Sequence, residues 1–215
     1  AVGFVQALLA DEWAVSGVVP QTRIYTEFVE KTPGRVAYFW VDAMRFEMGV
    51  ELARRLESAQ ELAVRPAVAA LPTITPVGMA ALLPGAATGF SVVEHRNTLA
   101  AQVDGTPVAS LNDRLRLLKA SVPDVVEMPL GKLLNTPSAK LAKTLGTASL
   151  IVVRSQEIDS LGEMDGDLLA RQVMDTVLAN LARGVRKLAA AGIEQFVITA
   201  DHGHQFATRK DDDME

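Results

Sequence analysis

Three aspartates of this 215-residue chain follow apolar runs that are typical of buried strands. Asp42 follows "AYFWV", Asp159 follows "SLIVVRSQEI", and Asp201 follows "FVITA". A single aspartate after a strand is most often a turn or helix-capping residue. Three carboxylates at one edge of a sheet would repel one another and resist desolvation, and bound cations would remove that cost. The pattern therefore predicts a metal site where these strands end.

Further donor groups accompany two of these aspartates. His202 directly follows Asp201, and Glu163 comes four residues after Asp159, although Glu163 fits a solvated acidic loop equally well. The chain contains no cysteine, so thiolate ligands are excluded, and a metal would be held by carboxylate, imidazole and hydroxyl groups. This donor set suits zinc, with manganese and magnesium as alternatives.

A hydroxyl group that could act as a nucleophile lies in "LPTITPVGMAALLPG". Thr75 and Pro76 predict the start of a short helix, with Thr75 as the N-cap and Pro76 as the first helical residue. A hydroxyl coordinated to a divalent cation loses its proton more easily and can then attack phosphorus. Thr75 is the predicted nucleophile, and Thr73 is the alternative.

Candidates for binding a substrate phosphate are arginines rather than glycine-rich loops. Arg45 comes just after Asp42 and could bind a phosphate oxygen, although an arginine at a helix start is often solvated or paired. Arg154 has the same two interpretations. Neither GxxxxGK[ST] nor GxGxxG occurs, so a nucleotide-binding fold of those classes has no support.

Strand and helix patterns alternate along the chain and indicate how the acids are positioned. Continuous apolar runs at 35–43, 149–155 and 194–200 predict buried strands, and "ELAVRPAVAALP" predicts a weaker one. Helical patterns separate these runs, the longest at about 167–190. This order predicts an α/β fold with a mostly parallel sheet and helices on both faces. Ligands of such sheets bind outside the carboxyl ends of the strands.

The same patterns predict a division of the chain into two parts. Residues 1–31 form an N-terminal helical segment, and residues 32–215 form the α/β core. A small β-hairpin is inserted at about 88–109, around the turn signal Asp104-Gly105. The chain begins without Met inside a helical pattern and ends soon after a strand, which suggests a piece of a longer protein with its core truncated at the C-terminus.

Four stretches, in order, resemble the PglZ domain of bacterial phage-defence (BREX) systems, within the alkaline phosphatase superfamily: "VDAMRFEMG", "LPTITPVGMAALLPG", "EIDSLGE" and "ITADHGHQF". The resemblance spans residues 35 to 206 and implies an alkaline-phosphatase-like core with a two-metal phosphoesterase site. It assigns one metal to Asp42, Thr75, Asp201 and His202. Thr75 matches the nucleophile of a "PTxT"-like stretch.

The second metal site of that family matches this chain less well. The family pattern has an Asp, a His four residues later and a further His downstream, and Asp159 alone fits it. Glu163 stands where many relatives have His, and the downstream His has no counterpart before Glu215. His204 does not simply replace it, because a residue two positions after His202 need not face the same way. We therefore expect an incomplete second site, and weak or absent activity of this chain by itself.

Two functions follow from these observations. The first is a metal-dependent phosphodiesterase or nuclease-like enzyme acting with other subunits of a phage-defence complex, on nucleic acid or a nucleotide phosphate ester. The alternative is an inactive metal-binding scaffold or partner-binding subunit. The net charge of −5 without a basic stripe argues against nonspecific nucleic-acid binding. The lack of an apolar run of about 18 residues predicts no membrane span, and the absence of cysteine favours the cytoplasm.

Overall fold

The computed structural model describes residues 6, 16–57, 61–95, 98–162 and 167–204. The first half contains β1 (Val19–Pro20), a 3₁₀ helix (Gln21–Arg23), a π-helix (Tyr25–Val29), β2 (Val36–Val41), α1 (Phe46–Arg55), β3 (Ala67–Val68), α2 (Thr75–Ala81), α3 (Ala86–Gly89), β4 (Phe90–His95), β5 (Thr98–Val103) and β6 (Thr106–Val108). The second half contains α4 (Leu111–Ser121), β7 (Val126–Pro129), α5 (Leu130–Asn135), α6 (Ser138–Leu145), β8 (Leu150–Ser155), α7 (Glu157–Gly162), α8 (Asp167–Ala190) and β9 (Gln195–Ala200).

The central sheet has four parallel strands in the order β7-β8-β2-β9. All six residues of β2 are buried, as expected for a continuous apolar run in the middle of a parallel sheet. Trp40 pairs with Arg154 of β8 on one side and with Thr199 of β9 on the other. The predicted α/β class is therefore confirmed.

Alternate residues of β2 build two separate cores. The Phe39 face, defined by Ala37, Phe39 and Val41, packs against apolar side chains of α1, α5, α6, α7 and α8. The Trp40 face, defined by Val36, Tyr38 and Trp40, packs against α2, α4, β5, β6 and residues 24–29. Helices thus cover both faces of the sheet, and each face buries its own apolar cluster.

One predicted strand of the central sheet is wrong. Within "ELAVRPAVAALP" only Ala67–Val68 forms a strand, which is exposed and pairs with β1 outside the central sheet. The fourth central strand is β7, a four-residue edge strand. The local signal of β7 is weak because the strand is short and includes Glu127 and Pro129, which an edge tolerates.

The inserted region is a three-stranded antiparallel sheet, β4-β5-β6. Asp104 and Gly105 connect β5 to β6 with φ values of 47° and 75°, as expected for a two-residue hairpin turn. The part of the N-terminal segment that can be described, residues 16–31, contains β1 followed by short helical turns. The predicted boundary at residue 31 stays a prediction. No helix in the described ranges is long and apolar enough to cross a membrane.

Candidate metal centre

Asp42 and Asp201 lie side by side at the carboxyl edge of the central sheet. Each follows directly after its strand, and the last paired residues of β2 and β9 are Val41 and Ala200. Side chains alternate along a strand, so Asp42 continues the row of Tyr38 and Trp40 and belongs to the Trp40 face. Both carboxylates are buried, with exposed fractions of 2% for Asp42 and 0% for Asp201.

The two oxygens of the Asp201 carboxylate have different surroundings. Oδ1 accepts hydrogen bonds from the backbone amides of Ala43 (3.1 Å) and His202 (2.8 Å). Ala43 has a φ of 58°, which is uncommon for a residue other than glycine. Oδ2 is buried and accepts no hydrogen bond from the described residues, and it lies 3.5 Å from Nε2 of His202. Oδ2 is therefore available to a cation.

Thr75 brings its hydroxyl group to these acids. Its Oγ1 lies 3.2 Å from Nε2 of His202 and donates a hydrogen bond of 3.4 Å to Oδ1 of Asp42. Nε2 of His202 is also 3.6 Å from Oδ1 of Asp42. Thr75, Asp42 and His202 come from three distant parts of the sequence, so the tertiary fold assembles this cluster.

The predicted capping role of Thr75 is wrong. Ile74 is the N-cap of α2, with the extended backbone that this position requires, and Thr75 is the first helical residue. The carbonyl of Ile74 accepts the first helical hydrogen bonds, from Val77 (3.0 Å) and Gly78 (2.9 Å). Pro76 fits either register, because its missing N–H falls among the unpaired amides of the first turn. In the described part of the chain, the Thr75 hydroxyl contacts Asp42 and His202 and does not occupy the capping position.

Two residues outside the predicted set hold Asp201 in place. Buried Gln21 donates from Nε2 to the carbonyls of Ala200 (2.9 Å) and Asp201 (2.5 Å), and its Oε1 accepts from the amide of Ala70 (2.9 Å). On the other side, α2 approaches so closely that a Cβ atom at Gly78 would lie 2.2 Å from the Asp201 carbonyl oxygen. A glycine inside a helical pattern often indicates a close packing contact, so the sequence contained a signal for Gly78. No sequence motif indicates the role of Gln21.

The electrostatics of the cluster favour a bound cation. The pKa of Asp42 is raised to about 7, mainly by burial and then by the negative charges of Asp201 and Asp159, while His202 opposes the increase. Burial also raises the pKa of Asp201, while His202 and the backbone amides lower it. Two adjacent buried carboxylates are therefore costly to ionise unless a positive charge is present.

The donor set fits a divalent metal. Ligand atoms of Asp42, Asp201 and His202 lie within 4.8 Å of one another, and oxygen and imidazole donors of this kind bind zinc or manganese. Asp201 Oδ2, buried without a hydrogen-bond donor among the described residues, would gain such a partner in the metal. These three residues would hold the metal, with the Thr75 hydroxyl beside it.

The residues predicted for a second metal are not part of this group. Asp159 lies in α7 after β8, near enough to raise the pKa of Asp42, but it does not belong to the three-residue cluster. Glu163 lies outside the described residues. His204 donates from Nδ1 to the carbonyl of Ala43 at 2.8 Å. The incomplete second site stays a prediction.

Arg45 lies three residues after Asp42, as the N-cap of α1. Its side chain is 30% exposed and its Nε is 3.4 Å from Oε1 of Glu47. Together with His202 and Gly203 it lines a groove of about 1080 Å³ that runs between α1 and β9. Its role in substrate binding stays a prediction. Thr73, the alternative nucleophile, is exposed.

Comparison with known families identifies this chain over most of its length. Residues 21–215 match the model of the BREX system PglZ alkaline phosphatase-like domain. The match begins at Gln21, whose side chain binds the backbone of Asp201. No curated protein matches the chain.

Proposed function

The chain belongs to the family of BREX system PglZ alkaline phosphatase-like domains, and on that premise we propose that it is a metal-dependent phosphoesterase of a bacterial phage-defence system, with Thr75 as the nucleophile. One observation supports this most directly. The Thr75 hydroxyl lies 3.2 Å from His202 and 3.4 Å from Asp42, beside ligand atoms that lie within 4.8 Å of one another.

The metal is zinc in this proposal, with manganese or magnesium as alternatives, and Asp42, Asp201 and His202 hold it. When bound, it lowers the pKa of a nearby hydroxyl and offsets negative charge on phosphoryl oxygens. Asp42 Oδ1 accepts the hydrogen bond of Thr75 Oγ1, so the hydroxyl proton is held there before it is lost to solvent. Gln21 and Gly78 fix the backbone of Asp201 and thereby the distance between α2 and the carboxylates.

The reaction has two steps. Thr75 Oγ1 forms a bond to phosphorus while the ester P–O bond breaks, and the departing oxygen takes a proton from solvent. A water molecule then forms a bond to phosphorus and gives up one proton to solvent, while the bond to Thr75 Oγ1 breaks and the threonine oxygen takes up one proton. The substrate is a phosphodiester of nucleic acid or of a nucleotide. The net charge of −5 supports presentation of that substrate by other subunits of the defence complex.

The second candidate is a scaffold that binds a metal and partner subunits without turnover. It is favoured by Glu163, which stands where the resemblance to the family leads us to expect His. The two functions share the first metal and differ in whether Thr75 carries a phosphoryl group.

The test compares Thr75→Ala, Thr75→Ser and Thr73→Ala in the full-length protein with a p-nitrophenyl phosphodiester and added zinc, manganese or magnesium. We expect Thr75→Ala to reduce turnover by roughly a thousandfold or more, and Thr75→Ser, which keeps a hydroxyl, to retain measurable turnover. Because Ile74 and not Thr75 is the N-cap of α2, alanine at residue 75 should not cost the roughly 1 kcal/mol of a lost cap.

Three outcomes would count against this proposal. Full turnover per folded molecule in Thr75→Ala would remove Thr75 as the nucleophile. Loss of turnover in Thr73→Ala alone would transfer that role to Thr73. A wild-type protein that binds zinc without turning over the ester in any of the three metals would make the scaffold the better function.

A further inference from the structure

Strand β9 forms one edge of the central sheet and has none of the features that usually protect such an edge. Edge strands are often short or carry charged residues or proline, which discourage further pairing. The opposite edge strand, β7, has four residues and contains Glu127 and Pro129. Strand β9 has six residues, QFVITA, without charge, proline or glycine, and among the described residues it pairs with β2 alone. Its composition is typical of a strand that is paired on both sides.

The groove of about 1080 Å³ beside β9, which we call the β9 groove, has an apolar lining. Besides α1 and β9, it is lined by residues 61–69, which include the short strand β3, and by the end of α8. In the described part of the chain seven large apolar side chains are exposed, and four of them line this groove: Phe46, Leu62, Val64 and Val68. Such a concentration of exposed apolar side chains is typical of a surface that binds another polypeptide.

One contact indicates the width of the gap between β9 and the segment that follows β3. Gln21 donates a hydrogen bond to the carbonyl of Ala200, the last residue of β9, and accepts one from the amide of Ala70. A single carboxamide group therefore joins the two backbones. In a β-sheet, the peptide group of an intervening strand makes the same pair of hydrogen bonds, one to each neighbour. At this end, the gap thus has the width of one strand.

We propose that the β9 groove binds one extended segment of a partner subunit, which pairs with β9 as an added strand of the central sheet. Alternate N–H and C=O groups of an edge strand point away from the sheet and can bond to such a segment. Apolar side chains at alternate positions of the segment would contact the exposed apolar lining of the groove. This inference does not depend on the proposed phosphoesterase activity.

A separate polypeptide is the favoured source of this strand. Residues 1–15 have helical spacing of apolar residues, and residues 211–215 contain four acids, and neither pattern favours a strand. The chain belongs to a family of the BREX system, which provides partner subunits.

The test measures binding of a synthetic peptide to the full-length protein by fluorescence anisotropy. The probe is a labelled peptide of alternating valine and threonine residues with a lysine at each end. In the control peptide proline replaces each threonine, which removes N–H groups that strand pairing needs. We compare wild type with Val64→Asp in the groove and with Leu99→Asp, an exposed position of β5 outside it.

We expect Val64→Asp to raise the Kd for the valine–threonine peptide by roughly tenfold or more, because a charge would be buried against apolar side chains. Leu99→Asp should match wild type, and the proline peptide should not bind. Hydrogen exchange locates the bound peptide, since the amides of β9 should exchange roughly tenfold more slowly in its presence, while those of β7 should be unchanged.

A wild type that binds no peptide would overturn the inference. If its β9 amides are already protected in that case, a strand of the same polypeptide occupies the groove instead of a partner. Equal binding of the proline peptide, or wild-type peptide affinity in a folded Val64→Asp protein, would overturn the inference as well. Leu62→Asp, at another exposed position of the groove, decides if Val64→Asp does not fold.

Discussion

At the scale of single residues, the two carboxylate oxygens of Asp201 have different roles, one in the fold and one in the candidate metal site. Oδ1 accepts two backbone amide hydrogen bonds, while Oδ2 is buried without a donor among the described residues. A substitution that replaces only Oδ2 would therefore separate metal binding from folding. Asparagine does this, since its carbonyl oxygen can still accept from Ala43 and His202 while its amide group replaces Oδ2.

We expect Asp201→Asn to fold like the wild type and to raise the Kd for zinc by roughly 100-fold or more. This effect is larger than the usual effect of altering a residue that only hydrogen-bonds to a metal ligand. The measurement is a competition titration with a coloured chelator. Asp175→Asn is the control, because Asp175 is an exposed acid of α8 on the opposite face of the sheet. An unchanged Kd for zinc in Asp201→Asn would remove Asp201 from the ligand set.

At the scale of elements, the approach of α2 to the sheet sets the distance between Thr75 and the acids. The contact is between Gly78 and the backbone carbonyl of Asp201, where a Cβ atom would come within 2.2 Å. Neither partner can give way easily, because Gln21 also donates a hydrogen bond to the carbonyl of Asp201. The helix must then shift outward if a side chain is added at residue 78.

We expect Gly78→Ala to lower the free energy of unfolding by roughly 1–3 kcal/mol, as overpacking does, and to reduce turnover per folded molecule because Thr75 moves with the helix. Urea unfolding and steady-state kinetics measure the two effects. Gly131→Ala in α5 is the control, since a Cβ atom there meets nothing within 4 Å. Equal stability and turnover of Gly78→Ala and wild type would contradict this account of the contact.

At the scale of the whole molecule, the two faces of the sheet have different tasks. The Phe39 face carries a continuous apolar cluster. The Trp40 face carries a second cluster and, at its carboxyl edge, the acids and Thr75. Buried acids at that edge make the stability of the entire fold depend on pH and on metal.

We expect the metal-free protein to lose stability as pH rises from about 4 to about 7. The ordinary pKa of an aspartate is 3.8, whereas the pKa of Asp42 in the folded protein is about 7. Between these two pH values the folded state keeps a proton that the unfolded state has released. Asp201 shifts in the same direction. Urea unfolding with EDTA at several pH values measures this slope.

Zinc should make the loss of stability with rising pH smaller, because a bound cation stabilises the ionised carboxylates and binds the folded state. Asp42→Asn should make the decrease smaller without metal, since one of the two carboxyl groups with a raised pKa is gone. A metal-free wild type whose stability rises steadily between pH 4 and pH 7 would contradict the raised pKa of Asp42.

The class of the fold and the approximate place of the acids can be predicted from the amino-acid sequence. A buried parallel strand can be recognised in the sequence as a continuous apolar run. A residue that directly follows such a run lies at the carboxyl edge of the sheet, whatever the position of the strand in the strand order. That reasoning predicted Asp42, Asp159 and Asp201 at one edge, with His202 beside Asp201. Ligand atoms of Asp42, Asp201 and His202 lie within 4.8 Å of one another, whereas Asp159 is not part of that group.

The tertiary structure decided what depends on contacts between distant segments. Periodicities of 2 and 3.6 residues report which side of an element is buried and carry no information about the partner it meets. Gln21 contacts Asp201 across 180 positions of sequence, and Thr75, predicted as a helix cap, is instead a neighbour of His202. The strand expected within "ELAVRPAVAALP" is not part of the central sheet, and the short edge strand β7 is. Pairing with β8, rather than local composition, stabilises β7.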